Sequence, residues 1–505
     1  MSEARSALSS APAAPAFFRH REVGGSELIT NMVGQHAFLS KSDFEAYRRG
    51  QLDPTHEQYG ELVKKNFFRD QANIVDLGGR LQRKRSFLGY GPNLHIMVVT
   101  LRCNETCVYC HASRAGLEEV GKDMSEEDAE KVVDLILQTT NPYVTIEFQG
   151  GEPLVNYPVV QHIIEYALEQ NKAAGKQLEF SLITNLSLMD EEKMNYLLDH
   201  KVQICTSVDG PRDIHNKQRI LNTGDAWELA TTWIERINRE YVARGLDPEV
   251  YHVEALITST RALVERPKEV VDTYVDLGCR ALFLRPVDPF GFASKTQKLI
   301  GYEVDEFLEY YRSAVDYMLE LNFQGVQILE RYAAIFLTKI LTGDDPNFLD
   351  IRNPCGAGIG QLAYNYDGRV FVCDEGRMVS HMGDDFFEIG VAGESSYESV
   401  VTHDTVKACT MASNLDSIPG CNTCAYNPYC GTCPVYNYST QGSLHGRMPE
   451  SRWCAVHMGI QDYLFEKLRE NDPKVMAVFD KWVHVRERDF YLHDGAEEAA
   501  AGAEA

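Results

Sequence analysis

From Leu94 onward the chain alternates short apolar, β-branched runs with longer stretches of helical periodicity. Residues 95–101, 144–148, 178–184, 203–208, 252–258 and 281–285 read as strands. Between them, residues 125–140, 159–174, 191–200, 225–244 and 267–277 carry apolar side chains at helical spacing. Ser125, with Asp128 three residues on, predicts the start of the first of these helices. Six β/α repeats predict a parallel sheet with helices outside, closed as a partial barrel or left open. Active sites in such barrels sit on loops at the C-terminal strand ends. Four such loops here are polar: Arg102 to Cys110, Gln149 to Pro153, Thr184-Asn185 and Ser207 to Pro211.

The flanks follow other patterns. Residues 18–85 offer two strand-like runs, 26–31 and 35–39, split by Met32-Val33-Gly34. A helix capped by Ser42 with Glu45 follows, then a second over about residues 55–66, running into Phe67-Phe68. Strand, strand, helix, helix suits a winged-helix-like peptide-recognition module, or a structural cap on the main domain. The last third is rich in Gly, Asn and Tyr and holds Cys355, Cys373, Cys409, Cys421, Cys424, Cys430, Cys433 and Cys454. Loop-rich segments this dense in cysteine fold around metal. The plan is a disordered leader over 1–16, an N-terminal module over 17–88 and a central domain over 89–330. A cysteine-rich domain follows over 331–482, then an acidic tail over 483–505.

Composition narrows the class. At 505 residues, with 44% hydrophobic and 24% charged residues, the chain has the balance of a globular protein with two or three domains. No apolar run approaches 18 residues and no signal sequence is recognisable, so no membrane partner and a cytoplasmic location are expected. A net charge of −25 argues against nucleic acid as a partner. The acidic surface either steers a basic substrate segment or only keeps the protein soluble.

The sharpest chemistry lies in Cys103, Cys107 and Cys110, spaced C-x3-C-x2-C directly after the first strand. Three thiolates on one loop can hold three irons of a 4Fe–4S cluster, leaving the fourth iron open to a ligand. Zinc sites usually pair a C-x2-C with a second pair, and His111 is too close to Cys110 to complete a tetrahedron without strain. A disulfide framework does not suit 13 cysteines in this setting. Cys421, Cys424, Cys430 and Cys433 have ribbon-like spacing that one zinc would also accept. Cys205 and Cys279 sit in apolar strand contexts and read as core thiols.

With Cys103, Cys107, Cys110, Tyr109 and Gly150-Gly151-Glu152-Pro153 in view, the chain resembles the radical S-adenosylmethionine (radical SAM) superfamily over about residues 90–300. The resemblance implies a partial (β/α)6 barrel and a cluster whose open iron chelates SAM. It also implies that the Gly150–Pro153 turn meets the amino end of SAM, with the two glycines permitting close backbone approach. Tyr109 would lie against the adenine, Asn185 and Ser207 would reach the ribose or carboxylate, and Arg219 would pair with the carboxylate. The last third resembles the SPASM extension of that superfamily, which holds two auxiliary 4Fe–4S clusters. By that analogy Cys355, Cys373 and Cys433 hold one, with Cys409 as an inert thiol or a fourth ligand. Cys421, Cys424, Cys430 and Cys454 hold the other. Cys430 and Cys433 are two residues apart where the common pattern has three. Asp374 is carried over from related sulfatase-maturing enzymes as the candidate catalytic base. The stretches 361–368, 373–375 and 429–438 resemble maturases of the His-Xaa-Ser peptide system.

The implied activity is cleavage of SAM to a 5′-deoxyadenosyl radical and oxidative modification, as by a crosslink, of a ribosomal precursor peptide. A reductant such as flavodoxin or ferredoxin would supply the electron. Two alternatives stay open. One is a radical SAM dehydrogenase of a small alcohol or amine, and the other a non-catalytic iron–sulfur electron carrier.

Overall fold

Three antiparallel strands open the fold: β1 (Arg19–Val23), β2 (Ser26–Thr30) and β3 (His36–Leu39), in that spatial order. They belong to a computed structural model that describes residues 13–484 and 488–495. The two expected strands are β2 and β3, and β1 is an additional strand. Helix Lys41–Arg48 is capped by Ser40, whose hydroxyl accepts from Asp43 N at 3.1 Å, and not by Ser42. The second helix is shorter than expected, Tyr59–Lys64, because Asp53 captures the amide and hydroxyl of Thr55 in a turn. Residues 13–16, expected in a disordered leader, are ordered. Ala16 N donates to Phe67 O, Arg69 N donates to Ala14 O, and Ala13 is buried.

The central strands are β4 (Leu94–Thr100), β5 (Glu105–Cys107), β6 (Tyr143–Gly150), β7 (Gln177–Thr184), β8 (Gln203–Ser207), β9 (Arg219–Leu221) and β10 (Glu254–Ser259). They are followed by β11 (Ala281–Leu282), β12 (Leu284–Pro286) and β13 (Leu329–Glu330). Strands β4, β6, β7, β8, β10 and β12 pair in that order, every pair parallel. This is the expected six-stranded barrel sheet. Helices Glu126–Ile136, Tyr157–Ala174, Glu191–Asp199, Ala226–Ala243 and Pro267–Asp276 connect successive strands. Ser125 Oγ accepts from Asp128 N at 3.1 Å, as its spacing predicts. One face of each strand packs on the helices, as Val144, Ile146 and Phe148 do in β6.

The sheet does not stop at β4. Strand β14 (Gln361–Tyr364) adds to it in parallel, and β15 (Arg369–Phe371) and β16 (Glu388–Val391) follow antiparallel. The cysteine-rich third is therefore continuous with the barrel sheet. Off this path, β17 (His493–Asp494) pairs antiparallel with Leu178 and Gln177 at the start of the interior strand β7. Residues 488–495 of the expected acidic tail are thus built into the barrel, while 485–487 and 496–505 lie outside the described residues. Among the described residues no helix is long and apolar enough to cross a membrane.

Candidate active site

The loop after β4 is fixed before its cysteines are considered. Arg102 Nε donates to Asp123 Oδ1 at 2.8 Å, and Cys103 N donates to Ala115 O at 3.2 Å. Strand β5 pairs antiparallel with β9, placing Cys107 opposite Arg219. Phe292 N donates to Cys110 O at 2.8 Å, tying the loop to the segment after β12. Cys103, Cys107 and Cys110 are each half-buried. Burial, reinforced by the Glu152 and Glu105 carboxylates, pushes the Cys103 thiol up to about 12. Burial likewise raises Cys107, despite the neighbouring Arg219. Binding iron as thiolates would release those protons.

Gly150 and Gly151 press against this loop. Gly151 N donates to Thr100 O and Glu152 N to Arg102 O, each at 2.8 Å. A Cβ at Gly150, whose φ is +147°, would collide with Thr100 O. The glycines are thus required by the chain's own backbone, where the sequence pointed to a ligand's approach. Glu152 is buried and accepts from Leu154 N at 3.0 Å, Thr184 Oγ1 at 2.6 Å and Asn185 N at 2.7 Å. It joins the loops after β6 and β7. Asn185 Nδ2 donates to Asn104 Oδ1 at 3.0 Å, and Asn104 Nδ2 donates to Ser187 Oγ at 2.7 Å. The third loop is thereby fastened to the cysteine loop.

Arg219 is buried between two carboxylates, with Nε 3.0 Å from Asp209 Oδ2 and Nη1 3.7 Å from Glu105 Oε2. Its guanidinium lies over the Tyr109 ring at 5.5 Å, and the Tyr109 hydroxyl donates to Asp209. Asp374 opens helix Asp374–His381, and its Oδ1 accepts from Arg377 Nε at 2.8 Å.

These groups surround one cavity of about 1430 Å³ inside the barrel. Cys103, Cys107, Tyr109, Cys110, Gly151, Glu152, Asn185, Ser207, Arg219 and Asp374 all line it, whereas Gly150 and Pro153 do not. Sequence reasoning missed the cavity's other charged walls, among them Glu147, Arg285, Asp288 and Asp350. Burial raises Glu147 to about 7 and Asp288 to about 6. Arg285 was within reach of sequence reading, since it ends the sixth strand-like run at the rim. Glu147 was harder to see, because its strand reads as an apolar run with one inward acid.

The C-terminal cysteines fall into two groups, and none of them lines the cavity. Cys355 and Cys433 lie close together, and the neighbouring Cys433 thiol leads the lowering of the Cys355 pKa. Cys373 and Cys409 lie within electrostatic reach of Cys355, and all four are buried. Cys373 and Cys433 each cap a helix, accepting from Gly376 N and Tyr436 N at 3.3 Å. The second group contains Cys421, Cys424, Cys430 and Cys454; Cys421, Cys430 and Cys454 each lie within electrostatic reach of Cys424. Cys205 and Cys279 are buried, but Cys205 also lines the cavity.

Among the described residues no three His, Cys, Asp or Glu side chains gather around a single metal ion. A four-iron cube places a separate iron at each thiolate, so its ligands need not share one ion. Close to each cysteine group, in sequence or through charge, lies a buried donor with no acceptor: Arg114 Nε after Cys110, Arg352 Nε and Nη2 before Cys355, and Arg19 Nη1 near Cys424. Orphaned N–H groups beside thiols fit a sulfide-bearing anionic group.

Residues 97–247 match the family model of the Radical SAM superfamily. The chain is 30% identical over 115 residues to the protein MJ0907 of Methanocaldococcus jannaschii, covering 23% of this chain and 38% of that one. It is 26% identical over 281 residues to a cysteine-type anaerobic sulfatase-maturating enzyme of Clostridium perfringens, covering 54% and 71%. Among solved structures, anSMEcpe with bound AdoMet superposes with TM-score 0.62 at 19% identity, over 77% of this chain and 100% of that one. Streptococcus suis SuiB bound to its precursor peptide SuiA superposes with TM-score 0.51 at 11% identity, over 86% and 98%. The chain therefore carries a radical SAM domain in a fold it shares with a sulfatase-maturating enzyme and with SuiB.

Proposed function

We propose that this chain is a radical SAM enzyme that oxidatively modifies a ribosomally made peptide, of the kind matured in His-Xaa-Ser systems. The observation that carries the reading is the convergence of Cys103, Cys107, Cys110, Gly151, Asn185, Arg219 and Asp374 on one cavity of about 1430 Å³. That volume exceeds the roughly 300–1,000 Å³ of an ordinary small-molecule pocket. It suits a cofactor and a substrate side chain together. The SuiB likeness and its bound precursor peptide support a peptide as substrate.

In this reading Cys103, Cys107 and Cys110 hold a 4Fe–4S cluster, Cys355, Cys373 and Cys433 a second, and Cys421, Cys424, Cys430 and Cys454 a third. Held there, the cluster with SAM would supply radical chemistry able to remove hydrogen from an unactivated carbon. The chain's own work is positional. Glu152 and the Asn104–Asn185 link hold three rim loops in fixed register. Arg219, braced by Asp209 and Glu105, presents a fixed positive charge for a carboxylate, and Asp374 faces the cavity as the proton acceptor.

The test is anaerobic incubation of the reconstituted, reduced protein with SAM. Formation of 5′-deoxyadenosine, lost on replacing Cys103, Cys107 and Cys110 by Ala, is expected. Its absence from the intact protein would leave only an electron carrier. Co-expression with a candidate precursor peptide, read by mass spectrometry, tests the substrate: loss of two hydrogens is expected. Turnover of a small alcohol or amine with no change in the peptide would favour the dehydrogenase instead.

A further inference from the structure

The N-terminal sheet grips the loop that carries Cys421, Cys424 and Cys430. Arg19 Nε donates to Asn422 O and Thr30 Oγ1 to Ala425 O, each at 2.8 Å. Tyr429 Oη donates to Gly34 O at 2.8 Å. Arg21 engages both carboxylate oxygens of Asp462 at 2.7 Å, and the same carboxylate accepts the Tyr426 hydroxyl at 2.5 Å. The loop is thus held directly at residues 422, 425 and 429 by a segment some 400 residues earlier in the chain, and at Tyr426 through Asp462.

Arg19 differs from the other grips in being incompletely used. It is 5% exposed, and its Nη2 lies 3.0 Å from Asp416 Oδ1. Nη1 is fully buried and has no acceptor. Leaving such a donor unpaired in the interior is unfavourable, and more so when it is charged. The planar fork prevents Nη1 from turning outward without breaking the other two bonds. Cys424 lies within electrostatic reach of the same guanidinium. Cluster sulfurs accept hydrogen bonds, and such bonds help to set the cluster's reduction potential.

We propose that Arg19 is a positioning and charge-tuning residue for an iron–sulfur group held by Cys421, Cys424, Cys430 and Cys454, donating to its sulfur from Nη1. The inference rests on the auxiliary-cluster reading given above. One-electron reduction adds a negative charge to that group, and a guanidinium in a water-poor site stabilises the added charge. Removing the guanidinium therefore lowers the potential. The N-terminal sheet then belongs to the redox site, and deleting it would remove more than a recognition module.

The test uses the full chain, reconstituted anaerobically with iron and sulfide and followed by a redox titration read by electron paramagnetic resonance. Iron is counted first. Arg19→Gln is expected to keep its iron and shift this group's reduction equilibrium about tenfold toward the oxidised form, about 59 mV for one electron. Arg19→Lys, which keeps the charge, is expected to recover at least half of that shift. An Arg19→Gln potential within about twofold of wild type at full iron content overturns the proposal. If Arg19→Gln sheds the irons, Arg19→Lys must restore them, and its failure to do so also overturns it. Replacing Cys421 and Cys454 by Ala separates the two readings. Unchanged iron there overturns the auxiliary cluster itself, whereas loss of iron with an unmoved Arg19→Gln potential overturns only the role of Arg19.

Discussion

A Cβ added at Gly151 would collide with Arg102 O and sit 2.5 Å from Leu101 O, both backbone atoms of the cysteine loop. No rotamer relieves such a contact, so the turn and the loop must part. Gly78, inside helix Ile74–Lys84, is the opposite case: a methyl group added there would meet nothing within 4 Å. Gly78→Ala is expected to stabilise by about 1 kcal/mol through helix propensity. Gly151→Ala is expected to destabilise by about 1–3 kcal/mol and to displace Cys103. Urea denaturation of both variants checks this, and a Gly151→Ala protein as stable as wild type would refute the contact. A second residue sets a pH dependence. Glu330 is buried, accepts from Tyr311 Oη at 2.6 Å and from Ala333 N at 2.7 Å, and burial raises it to about 7 from an ordinary value of 4.5. A folded pKa above the unfolded one means its contribution is full below pH 4.5 and is lost as pH rises through 7. The difference corresponds to about 3 kcal/mol. Glu330→Gln is neutral throughout, so it should gain on wild type by about that amount between pH 4.5 and 7.5. A stability gap that stays constant across that range would show that Glu330 titrates as it does in the unfolded chain.

The segment that carries β17 is fastened to the barrel in part by a charged pair. Arg488 Nη2 lies 2.5 Å from Glu254 Oε1, and Arg331 pairs with the same carboxylate. Burial pushes Glu254 up, but the two arginines outweigh it and hold the carboxyl at about 2. Arg488→Ala leaves Arg331 in place and removes a partner that is itself about a third exposed. We expect a local loss of about 0.5–1 kcal/mol, that of a partly exposed ion pair. Limited proteolysis should then cut residues 488–495 several times faster, with the barrel's own unfolding unchanged. An unaltered cleavage rate would mean that the β7 pairing alone holds the segment. This strand also shows where the sequence was hard to read. The parallel strands β4, β6, β7 and β8 announced themselves as apolar runs and were located to within a residue or two. Strand β17 is two residues long in an acidic context, and its pairing depends on a partner over 300 residues away. Strand β14 had a different obstacle. Its residues were legible as part of a cysteine-rich segment, but nothing local says that they extend the barrel sheet beside β4.

Across the whole molecule the three cysteine groups are not equally separate. Cys103, Cys107 and Cys110 lie on one loop, and the chemistry of that loop was legible because its spacing is local. The grouping of the other eight came from resemblance, since Cys355 and Cys433 are 78 positions apart and meet only in the fold. Chain order interleaves them: Cys430 belongs to one group and Cys433 to the other, with only Gly431-Thr432 between. That link has little slack. A Cβ at Gly431 would collide with the backbone of Ile351, beside the segment leading to Cys355, and Trp453 Nε1 donates to Gly431 O at 3.1 Å, next to Cys454. Displacing Cys430 must therefore move Cys433, whereas Cys103 can be altered without touching either group. On the proposed assignment the loaded chain holds about twelve irons. Cys103→Ala should lower this to about eight, and Cys430→Ala to about four, because both C-terminal groups are lost together. Iron and sulfide analysis of the two variants decides it. A Cys430→Ala protein that keeps about eight irons would show that the two-residue link carries no strain from one group to the other.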